Sequence, residues 1–333
     1  MSNKATASKA KGLDVGTSRL VLARPVENTY QYEGQLNAFI SLPYSRMTAG
    51  MLRREGILFS VEGSTILAYG NRVEEFANIL NGETRRPIRT GLLNPAEPKS
   101  LQMLELALTK MCGKAQEGEK ICFSIPSGSP NNQSDVIYHE RTITQILEKL
   151  SYSVKSLNEG LAVIYAELER ASFTGLGISF GGGMCNVCLA YLGLPVVTFS
   201  TPQAGDYVDY SASSVTGQTP TTIRLHKEEQ FQLNGFSGNN VEQAIAVYYN
   251  DMIRAVVTGL EKALSDRRKL PKFDKPIPVA ISGGSAQVMG FRQHLEKEIR
   301  AADLPIAIAE VSLAEDPLNT TAKGTLMAAM LDM

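Results

Sequence analysis

The chain has 333 residues, longer than one hydrophobic core usually organises, so two domains are expected. Its 33 basic and 34 acidic residues leave a formal charge of −1, which excludes a general attraction to nucleic acid or to an anionic membrane surface. Four scattered cysteines do not make a disulfide framework, and Cys185 and Cys188, three apart in an extended strand, would point to opposite faces rather than at one zinc ion.

The opening "MSNKATASKAKG" lacks the hydrophobic run of a signal peptide and the large apolar residues of a membrane-anchoring helix. Residues 1–11 are therefore expected to be a disordered lead-in, and the protein to be cytoplasmic with no transmembrane segment. "GLDVGTSRLVLARPV" (12–26) predicts a strand pair around a small polar turn. A mixed region follows to about Leu93, with turn signals at Gly34, Gly63 and Gly82, and within it "GILFSVEGSTILAYG" predicts a hairpin. Leu101, Leu104, Leu108 and Met111 have helical spacing that stops at Gly113. "KICFSIPSG" predicts a strand ending in a turn, then a helix to about Leu150, a short strand, and a helix from about Glu159. A hairpin around "SFGGG" comes next. The pattern then turns helical and polar from beyond Pro202 to about Glu229, and a long helix spans roughly 241–265. "PIPVAISGGSAQVMGF" predicts strand, Gly-Gly turn and helix, and the tail is helical. The basic clusters Arg85, Arg86, Arg89 and Arg267, Arg268, Lys269 read as solvated surface.

Two halves look alike. Each opens with a hairpin whose turn is built of small residues, Asp14 to Ser18 and then Ser179 to Gly183, and each continues into helices and a further strand–turn–helix unit. A duplicated α/β domain with a cleft between the halves fits this order best. Turns rich in Gly, Ser and Thr leave backbone N–H groups unshielded and converging, which suits phosphate oxygens. "DVGTS" offers Gly16 for close approach, Thr17 and Ser18 as hydroxyl donors, and Asp14 as a hard oxygen ligand of the kind magnesium prefers. Gly181, Gly182 and Gly183 repeat the pattern, and Gly283, Gly284 and Ser285 follow a buried strand and open a helix, where a phosphate or a nucleoside can pack.

At these motifs the chain resembles the actin, DnaK-type chaperone and sugar-kinase superfamily, most closely the bacterial actin homologues of the MreB and MamK type. "LDVGTSRLVLA" resembles the first phosphate motif, "ISFGGGMCNVCLAYLG" the second, and "VAISGGSAQVMGF" the adenosine motif. "NEGLAVIYAELERA" is similar to the helix joining the domains, and "AEDPLNTTAKGTLMAAM" to the C-terminal helix segment. The resemblance implies two actin-like, ribonuclease-H-like domains over 12–157 and 158–313, with a C-terminal helix over 314–333 returning to the first. Outer subdomains would lie at about 33–85 and, reduced, at about 203–240. It implies ATP and Mg2+ as cofactors. Asp14 matches the carboxylate that holds magnesium through water, Thr17 and Ser18 match phosphate donors, and Glu159 matches the position that orients the attacking water. Phosphoryl transfer needs such positioning more than covalent help. A second reading of Glu159 stays open, as a helix N-terminal acid favoured by the macrodipole.

The family pattern fails at two places in the second turn. An aspartate is expected where Ser179 stands, and a threonine or serine where Met184 stands. Binding can persist on the amides of Gly181 to Gly183, while hydrolysis is expected to be slow or impaired. Roughly 35 residues separate Asp206 from the long helix, too few for the family's full outer subdomain. Arg224 and His226 are the candidates there for contacts to the base. The implied function is an actin-like protein that polymerises head to tail with ATP, its partners being copies of itself and a cargo or membrane adaptor protein, without direct binding to nucleic acid. The alternative is a non-polymerising actin-fold scaffold with a degenerate ATP site. A small-molecule kinase would need a substrate base and a sugar-binding set, and neither is assignable.

Overall fold

The computed structural model describes residues 9–27, 29–79, 84–128, 133–235 and 238–331; residues 1–8 of the expected lead-in and the turn signal at Gly82 lie outside them. Ala10 and Lys11, placed in the lead-in by sequence, already belong to the first strand, β1 (Ala10–Val15). β2 (Arg19–Val26) completes the predicted pair, and β3 (Thr29–Leu36) extends it antiparallel. Sequence reading missed β3 because "TYQYEGQL" lacks the apolar alternation of a core strand and none of its residues is fully buried. A separate small sheet follows, built from β4 (Phe39–Pro43), β5 (Leu58–Glu62) and β6 (Thr65–Tyr69) with β6 central, β5 and β6 being the predicted hairpin. It carries α1 (Arg46–Arg54) and α2 (Val73–Ile79) and has its own core of Ile40, Leu52, Ile66 and Val73.

After the two-residue strands β7 (Ile88–Arg89) and β8 (Leu92–Leu93), α3 (Ser100–Cys112) leads into β9 (Lys120–Ile125), and α4 (Gln133–Lys149) crosses to β10 (Ser153–Asn158). Gly113 ends α3 with φ of 66°, a left-handed value that glycine adopts without strain. The first large sheet has the order β10-β9-β1-β2-β3, with β9 parallel to β1 and β10 parallel to β9.

The second half begins with α5 (Glu159–Glu167) and the antiparallel strands β11 (Gly175–Phe180), β12 (Cys185–Tyr191) and β13 (Leu194–Thr201). Three helices follow: α6 (Gly205–Thr216), α7 (Pro220–Glu229) and α8 (Asn240–Leu264). β14 (Ile277–Ser282) then adds parallel to β11, α9 (Phe291–Ala301) crosses to β15 (Ile308–Leu313), and α10 (Thr320–Met330) ends the described chain. The order β13-β12-β11-β14-β15 repeats the first sheet's connectivity: a three-stranded meander, then two parallel strands on its other side. Among the described residues no strand lies between Gly205 and Leu264, so this half carries helices where the first carries its small sheet.

α5 and α10 are packed between the two large sheets, and glycines set how closely they approach. A Cβ on Gly324 of α10 would stand 1.8 Å from the Ala162 carbonyl of α5, and one on Gly12 of β1 would stand 2.3 Å from the Ala322 carbonyl of α10. Cys185 packs into the core under α8, whereas Cys188 joins the opposite core with Leu161 and Leu326, as an extended strand requires.

Candidate functional site

The first turn is fixed from both sides. Gly16 N–H donates to the Arg19 carbonyl at 3.0 Å, and the buried Asn37 clasps the turn by donating its side-chain amide to the Gly16 carbonyl (2.8 Å) and its backbone N–H to the Ser18 carbonyl (2.9 Å). Tyr69 Oη in turn donates to Asn37 Oδ1 at 2.7 Å. Asp14 is aimed by Ser124, whose hydroxyl donates to Asp14 Oδ1 at 2.7 Å and accepts from Val15 N at 2.9 Å. In the second turn Gly181 N–H donates to the Met184 carbonyl at 3.1 Å. The N-terminus of α6 docks on it, Gly205 N to Gly181 O at 3.0 Å and Asp206 N to Gly182 O at 2.7 Å. In the third, Gly283 has φ of 94° and donates to the Pro317 carbonyl at 2.9 Å. Gly284 and Ser285 start only a short 3-10 turn to Gln287, and the α-helix begins later, at Phe291. The third turn thus offers bare backbone, not the helix N-terminus expected from sequence.

All three turns line one cavity of about 560 Å³ between the halves. Asp14, Gly16, Thr17, Ser18, Glu159, Gly181, Gly182, Gly183, Gly283, Gly284 and Ser285 are all on its wall. The first and second turns touch: a Cβ on Gly182 would lie 2.2 Å from Ser18 Oγ, and one on Gly183 would lie 2.2 Å from Thr17 Oγ1. Behind them Gly91 donates its N–H to Thr17 Oγ1 at 2.9 Å, and Met184 packs over it, Sδ lying 2.8 Å from where a Gly91 Cβ would be.

Glu159 is the first residue of α5, yet it is not the cap. Asn158 is, its Oδ1 accepting from Gly160 N (3.0 Å) and Leu161 N (3.3 Å). Glu159 instead accepts a 3.2 Å hydrogen bond from the Ser179 hydroxyl. Desolvation, and then the neighbouring Asp14, push its pKa up to about 8, against the pull of Ser179 and Asn186. Glu159 thus lines the cleft and meets Ser179 instead of capping the helix. Desolvation likewise pushes Asp14 up to about 6, opposed by Ser124. Two enclosed carboxylates, both destabilised by burial and Glu159 also by Asp14, offer hard oxygens that fit a magnesium ion held through water.

Several side chains differ from their sequence reading. Arg85 is not simply solvated: it pairs with Glu97 (Nε–Oε2 2.8 Å) and lies 4.7 Å over the Phe39 ring. Arg86 pairs with Asp206 of α6 at 3.0 Å, tying the two halves together. Arg89, Arg267, Arg268 and Lys269 remain on the surface. Arg224 lines the cavity, its guanidinium forked onto Glu74 of α2 at 3.0 and 2.7 Å. His226 does not line it; its Nε2 faces Glu242 Oε1 at 3.5 Å. Among the cleft residues that sequence did not single out are Lys227 and Asp209, a buried ion pair at 2.7 Å on the cavity wall. Burial pushes Asp209 up to about 6 although Lys227 opposes it. Asp206 and Asp209, three apart on α6, are the only sequence signal of an acidic face there.

Residues 9–329 match the sequence profile of the Volactin family. The chain belongs to that family. Among the curated proteins none matches it significantly. Solved structures similar to this Volactin-family chain include the MamK double helical filament, at 16% identity, covering 96% of this chain and 98% of that one with a TM-score of 0.70. The crystal structure of MreB 5 of Spiroplasma citri bound to AMPPNP is 13% identical, with 97% and 96% covered and a TM-score of 0.69. The ADP-bound structure of the same protein is 14% identical, with the same coverage and a TM-score of 0.68. The fold of this Volactin-family chain is therefore actin-like: two five-stranded sheets with helices, matching the folds of MamK and MreB. Among the described residues no helix is long and apolar enough to cross a membrane.

Proposed function

We propose that this chain binds ATP with magnesium in the cleft and polymerises head to tail into cytoplasmic filaments, hydrolysing the nucleotide slowly. The observation that carries the reading is the convergence of three separate glycine turns, Asp14 and Glu159 on one cavity. The similarity to a MamK filament and to AMPPNP- and ADP-bound MreB structures supports the same direction. In this reading the halves act as two domains, 12–157 and 158–313, with 314–333 returning to the first, and closure on ATP aligns their surfaces for the next subunit. Subunits related head to tail do not close on themselves, so they generate a filament. Its partners are further copies of the chain and a cargo or membrane adaptor protein.

Gly16, Thr17, Ser18 and Gly181 to Gly183 donate to phosphate oxygens, and Gly283, Gly284 and Ser285 pack against the nucleoside. Asp14 would hold magnesium through water, and that ion neutralises phosphate charge when bound. Glu159 orients the attacking water. Ser179 gives Glu159 a neutral hydroxyl where the actin-like resemblance implies a second carboxylate, and Met184 puts a thioether on Gly91 where it implies a hydroxyl. Missing donors of this kind cost roughly 100-fold in rate, so turnover is slow. The same two residues favour the second reading, an actin-fold scaffold that never polymerises. Titration with a fluorescent ATP analogue tests the cleft, and sedimentation with magnesium and ATP separates a filament from a scaffold. Magnesium-dependent binding that Asp14→Ala weakens supports the cleft, whereas no binding at any concentration leaves only the scaffold.

A further inference from the structure

Glu159 is held by a chain of side chains that neither half supplies alone. Asn158, which caps α5, donates its Nδ2 to Ser127 Oγ at 2.6 Å. Ser127 lies in the loop after β9, in the first half. Its backbone N–H donates to Asn186 Oδ1 of β12 at 2.8 Å, and its carbonyl accepts from Ser200 Oγ of β13 at 2.8 Å. Asn186 stands directly opposite Ser179 in the β11–β12 register, so the two side chains share one face of the sheet. Ser179 is the residue that donates to Glu159.

Asn186 is completely buried, and its Nδ2 makes no hydrogen bond among the described residues. An unsatisfied buried donor is costly, and a sheet interior would accept an apolar residue more readily. Because Ser127 supplies an N–H, it must meet the amide oxygen, which fixes the amide orientation and leaves the NH2 group as the unpaired end, on the residue opposite the Ser179 that binds Glu159. Though it falls short of a full hydrogen bond, that NH2 group favours the ionised Glu159 carboxylate, in the same direction as Ser179.

We infer that Asn186 is a positioning residue for Glu159: one end of its amide is locked by Ser127 of the opposite half, and the other sets the direction of the carboxylate. This rests on the proposed role of Glu159 in aligning water. It adds a link between closure and turnover. Separating the halves would break the Ser127–Asn186 bond and free the amide to rotate, so docking adds a second restraint on the carboxylate beside Ser179. Geometry at this level decides hydrolysis, which depends on alignment to a fraction of an ångström.

Asn186→Asp tests it with almost no change of shape. The variant keeps an acceptor for Ser127 N–H but turns a carboxylate oxygen, rather than NH2, toward Glu159. Nucleotide affinity is measured with a fluorescent ATP analogue and magnesium, and phosphate release under single-turnover conditions. Asn186→Ser, measured alongside, carries the same expectation should the aspartate variant fold poorly. The expected result is affinity within about two-fold of wild type and phosphate release at least about ten-fold slower. In a Glu159→Ala background the same substitution should add nothing, because Asn186 acts through Glu159. Unchanged phosphate release, or an effect that adds fully to that of Glu159→Ala, overturns the inference. So does wild-type protein that binds ATP and never releases phosphate, since nothing is then being positioned. Wild-type protein that binds no nucleotide overturns the proposed function instead, so the two failures are told apart.

Discussion

Arg224 of α7 and Glu74 of α2, 150 residues apart in sequence, meet in a two-pronged ion pair at the cleft, Nη1–Oε1 at 3.0 Å and Nη2–Oε2 at 2.7 Å. Both side chains are less than a third exposed. With Arg86–Asp206 at 3.0 Å it makes two charge-paired bridges between the halves. Planar forked geometry and partial burial place the pair well above an ordinary surface salt bridge.

Arg224→Gln is therefore expected to open the cleft more often and to speed nucleotide release. Losing one partner of such a pair costs about 1–2 kcal/mol, or roughly ten-fold in the rate. Stopped-flow displacement of a fluorescent nucleotide measures it. The charge swap Arg224→Glu with Glu74→Arg should restore slow release, and failure of that rescue would point to Arg224 touching the nucleotide directly.

The two cleft acids give the nucleotide-free protein a pH signature. Asp14 is raised from 3.8 to about 6 and Glu159 from 4.5 to about 8, chiefly by desolvation. With folded values above unfolded ones, the folded state holds extra protons between about pH 4 and 8, so these groups lower stability as pH rises through that window. Thermal unfolding should show Tm falling between pH 6 and 8 and Glu159→Gln flattening the fall. Magnesium with nucleotide should also flatten it by supplying the missing positive charge.

Placing at the second turn the groups that the resemblance to actin-like ATPases implies should speed turnover at a cost in stability. Ser179→Asp adds a carboxylate beside Glu159, which accepts from Ser179 Oγ at 3.2 Å. It should tighten magnesium-dependent binding and accelerate phosphate release by roughly 10- to 100-fold, while lowering the Tm of the nucleotide-free protein by like-charge repulsion. An equally slow variant would place the defect at Met184 or elsewhere.

Gly324 and Gly50 make a paired test of the packing. A Cβ on Gly324 would lie 1.8 Å from the backbone carbonyl of Ala162, and backbone does not yield cheaply. Gly324→Ala should cost more than about 3 kcal/mol, read as insoluble protein or a large fall in Tm. Gly50 lies in α1 with nothing within 4 Å of an added Cβ, so Gly50→Ala should stabilise by about 0.5–1 kcal/mol.

What sequence could show followed the range of the interactions. The glycine turns were legible because their chemistry is local, and the helices with strong spacing, such as α3 and α8, were legible for the same reason. Edge strands β3 and β13 were not, since solvent on one side removes the apolar alternation that marks a core strand. Asn37 looks ordinary until the fold brings it onto the Gly16 turn. Arg86 read as surface because its partner, Asp206, lies 120 residues away. Lys227 and Asp209 became a buried pair only once α6 and α7 packed together. Ser179 and Met184 stood out as departures from the family pattern, but only the structure shows what each of them touches.

The most direct test of polymerisation driven from the cleft is high-speed sedimentation of the purified protein with magnesium. ATP, ADP and no nucleotide are compared, and the pellets are viewed by electron microscopy. Filaments are expected with ATP and a much higher critical concentration without it, shifted upward by Asp14→Ala. Protein that stays in the supernatant with ATP across a wide concentration range, or filaments indifferent to nucleotide, would contradict that expectation.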